Sequence, residues 1–165
     1  MTAVVSVIEN KNIYIFDEIV EPNSNTTELS KTLKSKYPKA DIYVYPDPTG
    51  DKNQTNGVTG LTDLEILRRA GFTVCVPRAR YSTKDKFNTV NLALLNAKGE
   101  RRVFITEGTC PQLKKAWEGY SRKPNGEPDK NSGLDHISDA AAYLICYKMP
   151  YVGARKISRP RVLGA

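Results

Sequence analysis

The sequence has 165 residues, the size of one domain, and 39% of them are hydrophobic, which is enough to build a core. Its net charge of +7 favours a polyanionic partner such as a nucleic acid, because Lys and Arg side chains release the counterions condensed on phosphates. No apolar run approaches the roughly 20 residues that cross a bilayer, and no secretory signal is recognisable. We therefore expect a cytoplasmic protein without a membrane segment.

The first predicted element is a β-hairpin. Residues 2–9 and 13–20 are two apolar runs rich in β-branched side chains, and a short Asn-Lys-Asn turn separates them. A helix follows, with Thr26 or Thr27 as its N-cap, because apolar residues then recur every four positions until Pro38 ends the pattern.

From residue 41 onward, predicted strands alternate with predicted helices. The run at 41–46 is typical of a strand buried on both faces. Thr62 and Glu65 fit a capping box at the start of the next helix. The later elements are a strand at 72–77, a helix at 82–99, a strand at 101–106, a short helix at 110–121 and a final helix at 132–149. This order predicts an α/β fold with a mixed sheet flanked by helices.

The C-terminal segment differs in composition from the rest of the chain. Residues 151–165 carry four basic residues and no acidic one: Arg155, Lys156, Arg159 and Arg161. We therefore interpret residues 1–150 as one domain and residues 151–165 as a basic tail. Such a tail either contacts nucleic acid or another protein, or is simply solvated.

One carboxylate stands out at the end of a predicted strand. In the sequence YPDPTG, Asp47 lies between Pro46 and Pro48, directly after the run at 41–46. Asp-Pro and Thr-Gly are turn dipeptides, so a turn is one interpretation. Ligands of open α/β sheets bind beyond the carboxyl ends of parallel strands, so a metal ligand is the other. The two interpretations are compatible.

A second group of polar residues lies in the final predicted helix, within the sequence LDHISDAAAY. His136 and Asp139 are three residues apart and therefore share one helix face. Asp135 and Ser132 fit a capping box, so the preferred interpretation of Asp135 is structural. Asp139 lies deeper in the helix and is followed by three alanines, which allow a close approach to a sheet.

These carboxylates suggest a site for hard divalent cations. The three cysteines are far apart in sequence and there is one histidine, so we expect neither a zinc site nor a disulfide framework. Carboxylate oxygens without thiolates favour Mg²⁺ or Mn²⁺. Two such ions can support phosphodiester cleavage, and the basic charge makes a nuclease a hypothesis.

Longer segments carry a resemblance to a known family. The segments are NTTELSKTLKSKYPKADIYVYPDPTGD, GLTDLEILRRAGFTV, VNLALLNAKGERRVFI and LDHISDAAAYLI. Together they resemble the C-terminal nuclease domain of the large terminase subunit of tailed phages, which has a ribonuclease H-like fold. The resemblance implies a two-metal (Mg²⁺ or Mn²⁺) endonuclease that cuts concatemeric double-stranded viral DNA during genome packaging in the host cytoplasm. It also implies the terminase small subunit and the portal as partners.

The resemblance also assigns roles to individual residues. Asp47 and Asp139 match acidic metal ligands of the family, and His136 matches a histidine beside the metals that would orient water or the scissile phosphate. The same reading gives four basic residues that could follow the DNA backbone: Lys52, Arg78, Arg80 and Lys84. For each of these four, an ordinary solvated surface charge is an equally open interpretation.

The sequence departs from the family pattern at its start. The family's first strand, which carries another metal-binding aspartate, would precede Met1, so that strand is expected to be missing. Asp17 and Glu18 are interpreted as ordinary strand-end acids rather than as replacements. Without the strand, the sheet would expose unpaired backbone groups, and we expect low stability or self-association unless another strand fills the gap. The alternative function is therefore a non-catalytic module that binds DNA or a packaging partner.

Overall fold

The computed structural model describes residues 1–50, 60–77, 80–119 and 135–150. Five strands and five helices occur in these ranges, and no helix among them is long and apolar enough to cross a membrane. Their order and bounds are β1 (Thr2–Glu9), β2 (Asn12–Val20), α1 (Thr26–Lys36), β3 (Tyr43–Val44), α2 (Asp63–Arg69), β4 (Thr73–Val74), α3 (Thr83–Leu94), β5 (Val103–Ile105), α4 (Pro111–Gly119) and α5 (Asp135–Lys148).

The predicted hairpin is confirmed. β1 and β2 pair antiparallel from Thr2 opposite Val20 to Glu9 opposite Asn12. The turn residues Asn10 and Lys11 have φ of 49° and 66°, the left-handed conformation that a two-residue type I′ hairpin turn requires at both positions. A register shift between Val5 and Ser6 interrupts the pairing in the middle of β1.

The strands form two sheets rather than one continuous sheet. The first has the order β1-β2-β5, with β5 parallel to β2, and the second pairs β3 and β4 in parallel. The predicted α/β class with mixed strand directions is confirmed. The predicted long, fully buried strand at 41–46 is wrong, because only Tyr43 and Val44 are paired and the Tyr43 side chain is 59% exposed. Within the described ranges, β3 pairs with a strand on one side alone, and no described strand pairs with its other edge.

The helix ends follow local capping chemistry. The N-cap of α1 is Asn25, which forms a capping box with Glu28, so the prediction of Thr26 or Thr27 is off by one or two positions. The Thr26 hydroxyl is instead buried, where it donates to Asp63 at 2.6 Å and so links α1 to α2. The predicted capping box at the start of α2 is present.

Helix α3 is shorter than the predicted 82–99. It ends at Leu94 because the Asn96 side chain accepts hydrogen bonds from the backbone N–H groups of Lys98 and Glu100. These bonds close a turn that competes with the helix, and Gly99 supports it with a φ of 79°.

Two apolar clusters form the core. The larger joins β2, β5, α3, α4 and α5, and its fully buried side chains include Ile13, Ile15, Leu113, Ala141 and Ile145. The smaller one consists of Ile19, Leu29, Leu33, Leu67 and Phe72, and it packs against both sheets. Helix α1 therefore lies under the junction between the two sheets.

The two acidic residues of β2 have structural partners. Asp17 accepts hydrogen bonds from Lys36 and Tyr37 at the end of α1. The two carboxylate oxygens of Glu18 accept the backbone N–H groups of Gln112 and Leu113 at 2.8 and 2.9 Å, in the first turn of α4. An acid in that position satisfies N–H groups that the helix itself leaves unbonded. These contacts agree with the interpretation of both residues as ordinary strand acids.

Candidate functional site

The predicted site residues lie along a large cavity between the two sheets. The cavity has a volume of about 940 Å³, and residues of β1 and β3 form its sides. Residues of α1 and α5 also line it, and Asp47, His136 and Asp139 are among the lining residues. The fold thus brings together two segments that are about 90 positions apart in sequence.

Asp47 is held in a turn directly after β3. Its Oδ1 atom accepts the backbone N–H of Thr49 at 2.8 Å, and its carbonyl oxygen accepts the N–H of Gly50 at 3.0 Å. The side chain is nevertheless exposed, and its Oδ2 atom accepts the hydroxyl of Tyr143 at 2.8 Å. The turn therefore fixes the carboxylate while leaving it accessible, so both interpretations of this residue are compatible with the geometry.

The pKa of Asp47 reflects these contacts. Partial burial acts to raise the pKa of the carboxyl, but the hydrogen bonds from Thr49 and Tyr143 outweigh it and hold the pKa below its usual value. The positive charge of Lys86 acts in the same direction. Asp47 is therefore an anion at neutral pH, as a metal ligand must be.

Asp139 is paired with a lysine from another helix. Lys86 of α3 donates to its Oδ1 atom at 2.6 Å, and the Lys86 side chain is 14% exposed while that of Asp139 is 45% exposed. The Lys86 ammonium also lies 5.1 Å from the centroid of the Tyr143 ring, within reach of a cation–π interaction. The ammonium is thus enclosed by the tyrosine ring and the carboxylate.

Tyr143 connects the two carboxylates. Burial, together with its hydrogen bond to Asp47, raises the pKa of the Tyr143 hydroxyl far above its usual value. The hydroxyl therefore remains a proton donor at any physiological pH. A chain of contacts thus runs from Asp47 to Tyr143, from Tyr143 to Lys86 and from Lys86 to Asp139. We call these four residues the acid–lysine network.

His136 lies one helical turn before Asp139. It is exposed and lines the same cavity. His136 and Asp139 were predicted to share one helix face, and their placement along the same cavity agrees with that prediction. Asp135 is the first residue of α5, whereas its predicted capping partner Ser132 lies outside the described residues.

The donor atoms of this site are of the kind that magnesium and manganese bind. Asp47 and Asp139 offer carboxylate oxygens, and His136 offers an imidazole nitrogen. Among the described contacts, Thr49 and Tyr143 donate to the carboxylate of Asp47, and Lys86 donates to that of Asp139. Within the described ranges, however, no group of three or more His, Cys, Asp and Glu side chains is close enough to hold a metal ion.

The four predicted DNA-binding residues are only partly described. Lys52 and Arg78 lie outside the described residues. Arg80 and Lys84 are exposed, just before α3 and in its first turn. Both therefore lie near the end of α3 that also carries Lys86.

Sequence reasoning missed two members of the network, Lys86 and Tyr143. Tyr143 had a weak signal, because it lies four residues after Asp139 and so occupies the same helix face. Lys86 had none, since a lysine on a predicted amphipathic helix is ordinary surface charge until the packing of α3 against α5 is known.

Comparisons with known proteins support the fold. A family model described as the terminase RNaseH-like domain matches residues 1–148. Among solved structures, the g2p (large terminase) nuclease domain of bacteriophage SPP1 with bound Mn matches with a TM-score of 0.53 and 16% identity, over 86% of this chain and 75% of that one. At that identity the likeness shows the fold alone, and it confirms the predicted ribonuclease H-like class. No curated protein matches the chain.

Proposed function

The chain belongs to the terminase RNaseH-like domain family, and from this membership we propose that it is the metal-dependent endonuclease domain of a phage large terminase subunit. Its substrate would be concatemeric double-stranded viral DNA in the host cytoplasm. Residues 1–150 would form the nuclease domain and residues 151–165 a basic tail. The terminase small subunit and the portal would be its packaging partners.

The observation that carries this proposal is the acid–lysine network. Two carboxylates from distant segments, Asp47 and Asp139, lie along one cavity and are connected through Tyr143 and Lys86. A purely structural turn at Asp47 would not require a tyrosine hydroxyl from α5. The bound Mn of the similar SPP1 domain supports Mn²⁺ or Mg²⁺ as the cofactor, and two ions are expected from the family resemblance.

In this proposal, Asp47 and Asp139 hold the divalent ions, which when bound would activate water and neutralise charge on the scissile phosphate. The chain's own residues prepare the site. Tyr143 and the Thr49 N–H orient Asp47 and keep it ionised, because both donate to it. His136, exposed beside Asp139, would orient the water or the phosphate through a ring nitrogen.

The basic side chains near the site would hold the DNA. Arg80 and Lys84 are exposed near the start of α3, and Lys52 and Arg78 are proposed to act with them. Such contacts position the phosphate backbone without reading sequence. Binding would therefore be strong at low salt and indifferent to base sequence.

The test of this function is a plasmid-nicking assay in Mn²⁺ with the protein and its Asp47→Asn variant. We expect metal-dependent nicking that falls at least about a hundredfold in the variant, since a metal ligand is lost. Glu107→Gln, which removes an exposed carboxylate from the turn after β5, is the matched control and should cut normally. Equal nicking by the protein and Asp47→Asn would rule out Asp47 as a ligand.

A second candidate is a non-catalytic module of the same fold that binds DNA or a packaging partner. The absence of a group of three metal-binding side chains in the described ranges favours it. It predicts DNA binding that weakens steeply with salt and no nicking with Mg²⁺ or Mn²⁺. The same plasmid assay, combined with a binding titration, distinguishes the two functions.

A further inference from the structure

Tyrosines precede the candidate metal ligand Asp47 along the chain. Tyr43, Tyr45 and Asp47 are spaced by two, which places them on one side of an extended segment. Tyr45 packs against the larger apolar cluster and Val44 belongs to the periphery of the smaller one, so the two residues face opposite sides of the strand. The Tyr43 side chain is 59% exposed.

Helix α5 carries a matching series. Asp139, Tyr143 and Tyr147 are spaced by four, which places them along one helix face. The two series meet: the Tyr143 hydroxyl donates to Asp47 at 2.8 Å, and the ring centroids of Tyr45 and Tyr147 are 5.1 Å apart. Tyr147 is 37% exposed. Both series thus lead from a proposed metal ligand to tyrosines.

We call Tyr43, Tyr45 and Tyr147 the tyrosine row. A cation lies on it, because the Nζ atom of the exposed Lys148 is 5.4 Å from the centroid of the Tyr45 ring. Lys148 also lines the cavity, together with Tyr43 and Tyr45. Aromatic faces beside a cation suit single-stranded nucleic acid, whose bases stack on rings and whose phosphates contact the cation. The net charge of +7 is complementary to such a ligand.

The spacing of the row favours an unpaired strand over a duplex. Strand residues two apart are separated by about 6.6 Å. Neighbouring nucleotides along one strand of B-form DNA are separated by about 3.4 Å. In a duplex, neighbouring base pairs also cover both faces of each base, so rings at this spacing can stack only on an unpaired, extended strand. Asp41, exposed two residues before Tyr43, would repel phosphates and so limits the surface at that end.

We propose that the tyrosine row binds an unpaired segment of the DNA strand next to the candidate metal site. Bases stack on Tyr43 and Tyr147, Tyr45 supports the ring of Tyr147, and Lys148 contacts a phosphate. The surface holds a strand that is locally opened at the cut and does not read its sequence, because every base offers an aromatic face. This inference rests on the proposed function, which places the scissile phosphate at Asp47.

Oligonucleotide binding in metal-free buffer tests the proposal. The probes are a labelled dT oligonucleotide of about 12 nucleotides and an abasic one of the same length, which has the phosphates but no bases. The variants of the whole chain are Tyr43→Leu and Tyr147→Leu, which keep an apolar side chain and lose the ring. Phe104→Leu is the matched control, since Phe104 is also 37% exposed but lies on β5, outside the lining of the cavity.

We expect the affinity for the dT probe, measured by fluorescence anisotropy, to fall at least about fivefold in each tyrosine variant and to be unchanged in Phe104→Leu. Affinity for the abasic probe should be the same in all three, which also shows that the variants are folded. Lys148→Gln should weaken the binding of both probes and reduce the slope of log Kobs against log salt concentration by about 0.7, the value for one phosphate contact of a single strand.

Unchanged dT affinity in Tyr43→Leu and Tyr147→Leu would overturn the proposal. An equal loss on the abasic probe would also overturn it, because stacking would then not be the cause. If the tyrosine variants changed the sedimentation of the chain but not its dT binding, the row would be a contact between protein copies instead.

Plasmid nicking, measured separately, keeps this inference distinct from the proposed function. Base-dependent dT binding without any nicking would retain the tyrosine row as a nucleic-acid surface and count against the nuclease alone. Nicking without base-dependent binding would count against the tyrosine row alone.

Discussion

At the scale of single residues, Lys86 is the most informative side chain of the site. Its ammonium supplies one positive charge between the Tyr143 ring and the Asp139 carboxylate. A half-exposed carboxylate paired in this way is not a vacant ligand, because the lysine competes with any other cation for the same oxygen. The structure therefore describes a site whose anionic charge is partly neutralised by its own chain.

Replacing this lysine should increase the response to metal. We expect Mn²⁺ to raise the thermal unfolding midpoint of Lys86→Met by about 3 °C more than that of the unchanged protein, or about 1 kcal/mol of additional binding free energy. The reason is that Asp139 then has no competing ammonium. The measurement is a thermal unfolding scan with and without Mn²⁺.

Lys84→Met is the matched control for this experiment, because Lys84 is an exposed lysine one half-turn earlier on the same helix. Its metal response should equal that of the unchanged protein. An equal response from Lys86→Met would show that the lysine does not compete with the metal.

The residues of the site could be predicted from sequence only where they carry a local pattern. Asp47 lies between two prolines, and the spacing of His136 and Asp139 places them on one helix face. All three are therefore recognisable from the sequence alone. Lys86 is recognisable only from the packing of α3 against α5. The predicted roles of the first three remain predictions until cleavage is measured.

At the scale of elements, Asp17 ties β2 to the end of α1. Its Oδ2 atom accepts Lys36 Nζ at 2.6 Å and also the Tyr37 hydroxyl. Burial acts to raise the pKa of Asp17, but the hydrogen bonds from Lys36 and Tyr37 together hold it below the ordinary value of 3.8. Burial and the same carboxylate raise the pKa of Tyr37 to about 12.

This connection makes part of the stability dependent on pH. A lowered folded-state pKa gives stability that is complete above the unfolded value of 3.8 and is lost as the pH falls through the folded value. We expect Asp17→Asn to lower the free energy of unfolding by about 1 kcal/mol at neutral pH. The difference should shrink as the pH is lowered from about 5 to about 3.

Urea unfolding of both proteins at several pH values measures this effect. Asp41→Asn, which removes an exposed carboxylate just before β3, is the control and should behave like the unchanged protein. A difference for Asp17→Asn that stays constant down to about pH 3 would show that the charge of Asp17 is not what stabilises the contact.

Elements were predicted well where their signals are local and less well where they depend on neighbours. The hairpin, its turn and the Thr62 capping box follow from adjacent residues, and the structure contains them. The strand predicted at 41–46 shrinks to Tyr43–Val44, because strand length is set by the partners available for pairing. Hydrophobicity alone does not predict the length of the strand.

At the scale of the whole molecule, the charge balance bears on DNA binding. The net charge of +7 is not spread evenly, since four basic residues without an acidic one lie in residues 151–165. If these contact phosphates, each releases a counterion and steepens the salt dependence of binding.

Changing the four tail residues Arg155, Lys156, Arg159 and Arg161 to glutamine tests this idea. We expect the slope of log Kobs against log salt concentration to become less steep by up to about 3.6, because up to four fewer phosphates are contacted. The measurement is a fluorescence anisotropy titration of duplex DNA at several salt concentrations.

The control replaces four exposed basic residues elsewhere with glutamine: Lys11, Lys39, Lys98 and Arg101. It should leave the slope nearly unchanged. Equal effects of the two variants would mean that net charge, rather than the tail, governs binding.

The tight turn at Asn10 and Lys11 also sets an order of events during folding. β1 and β2 meet through a two-residue turn, so this pairing can form within microseconds. The parallel pairing of β5 with β2 joins residues about 90 positions apart and must wait for a large loop to close. The hairpin is thus ready early, and β5 later adds to its β2 edge. Folding would therefore expose the β2 edge as a template for β5 while the rest of the chain is still collapsing.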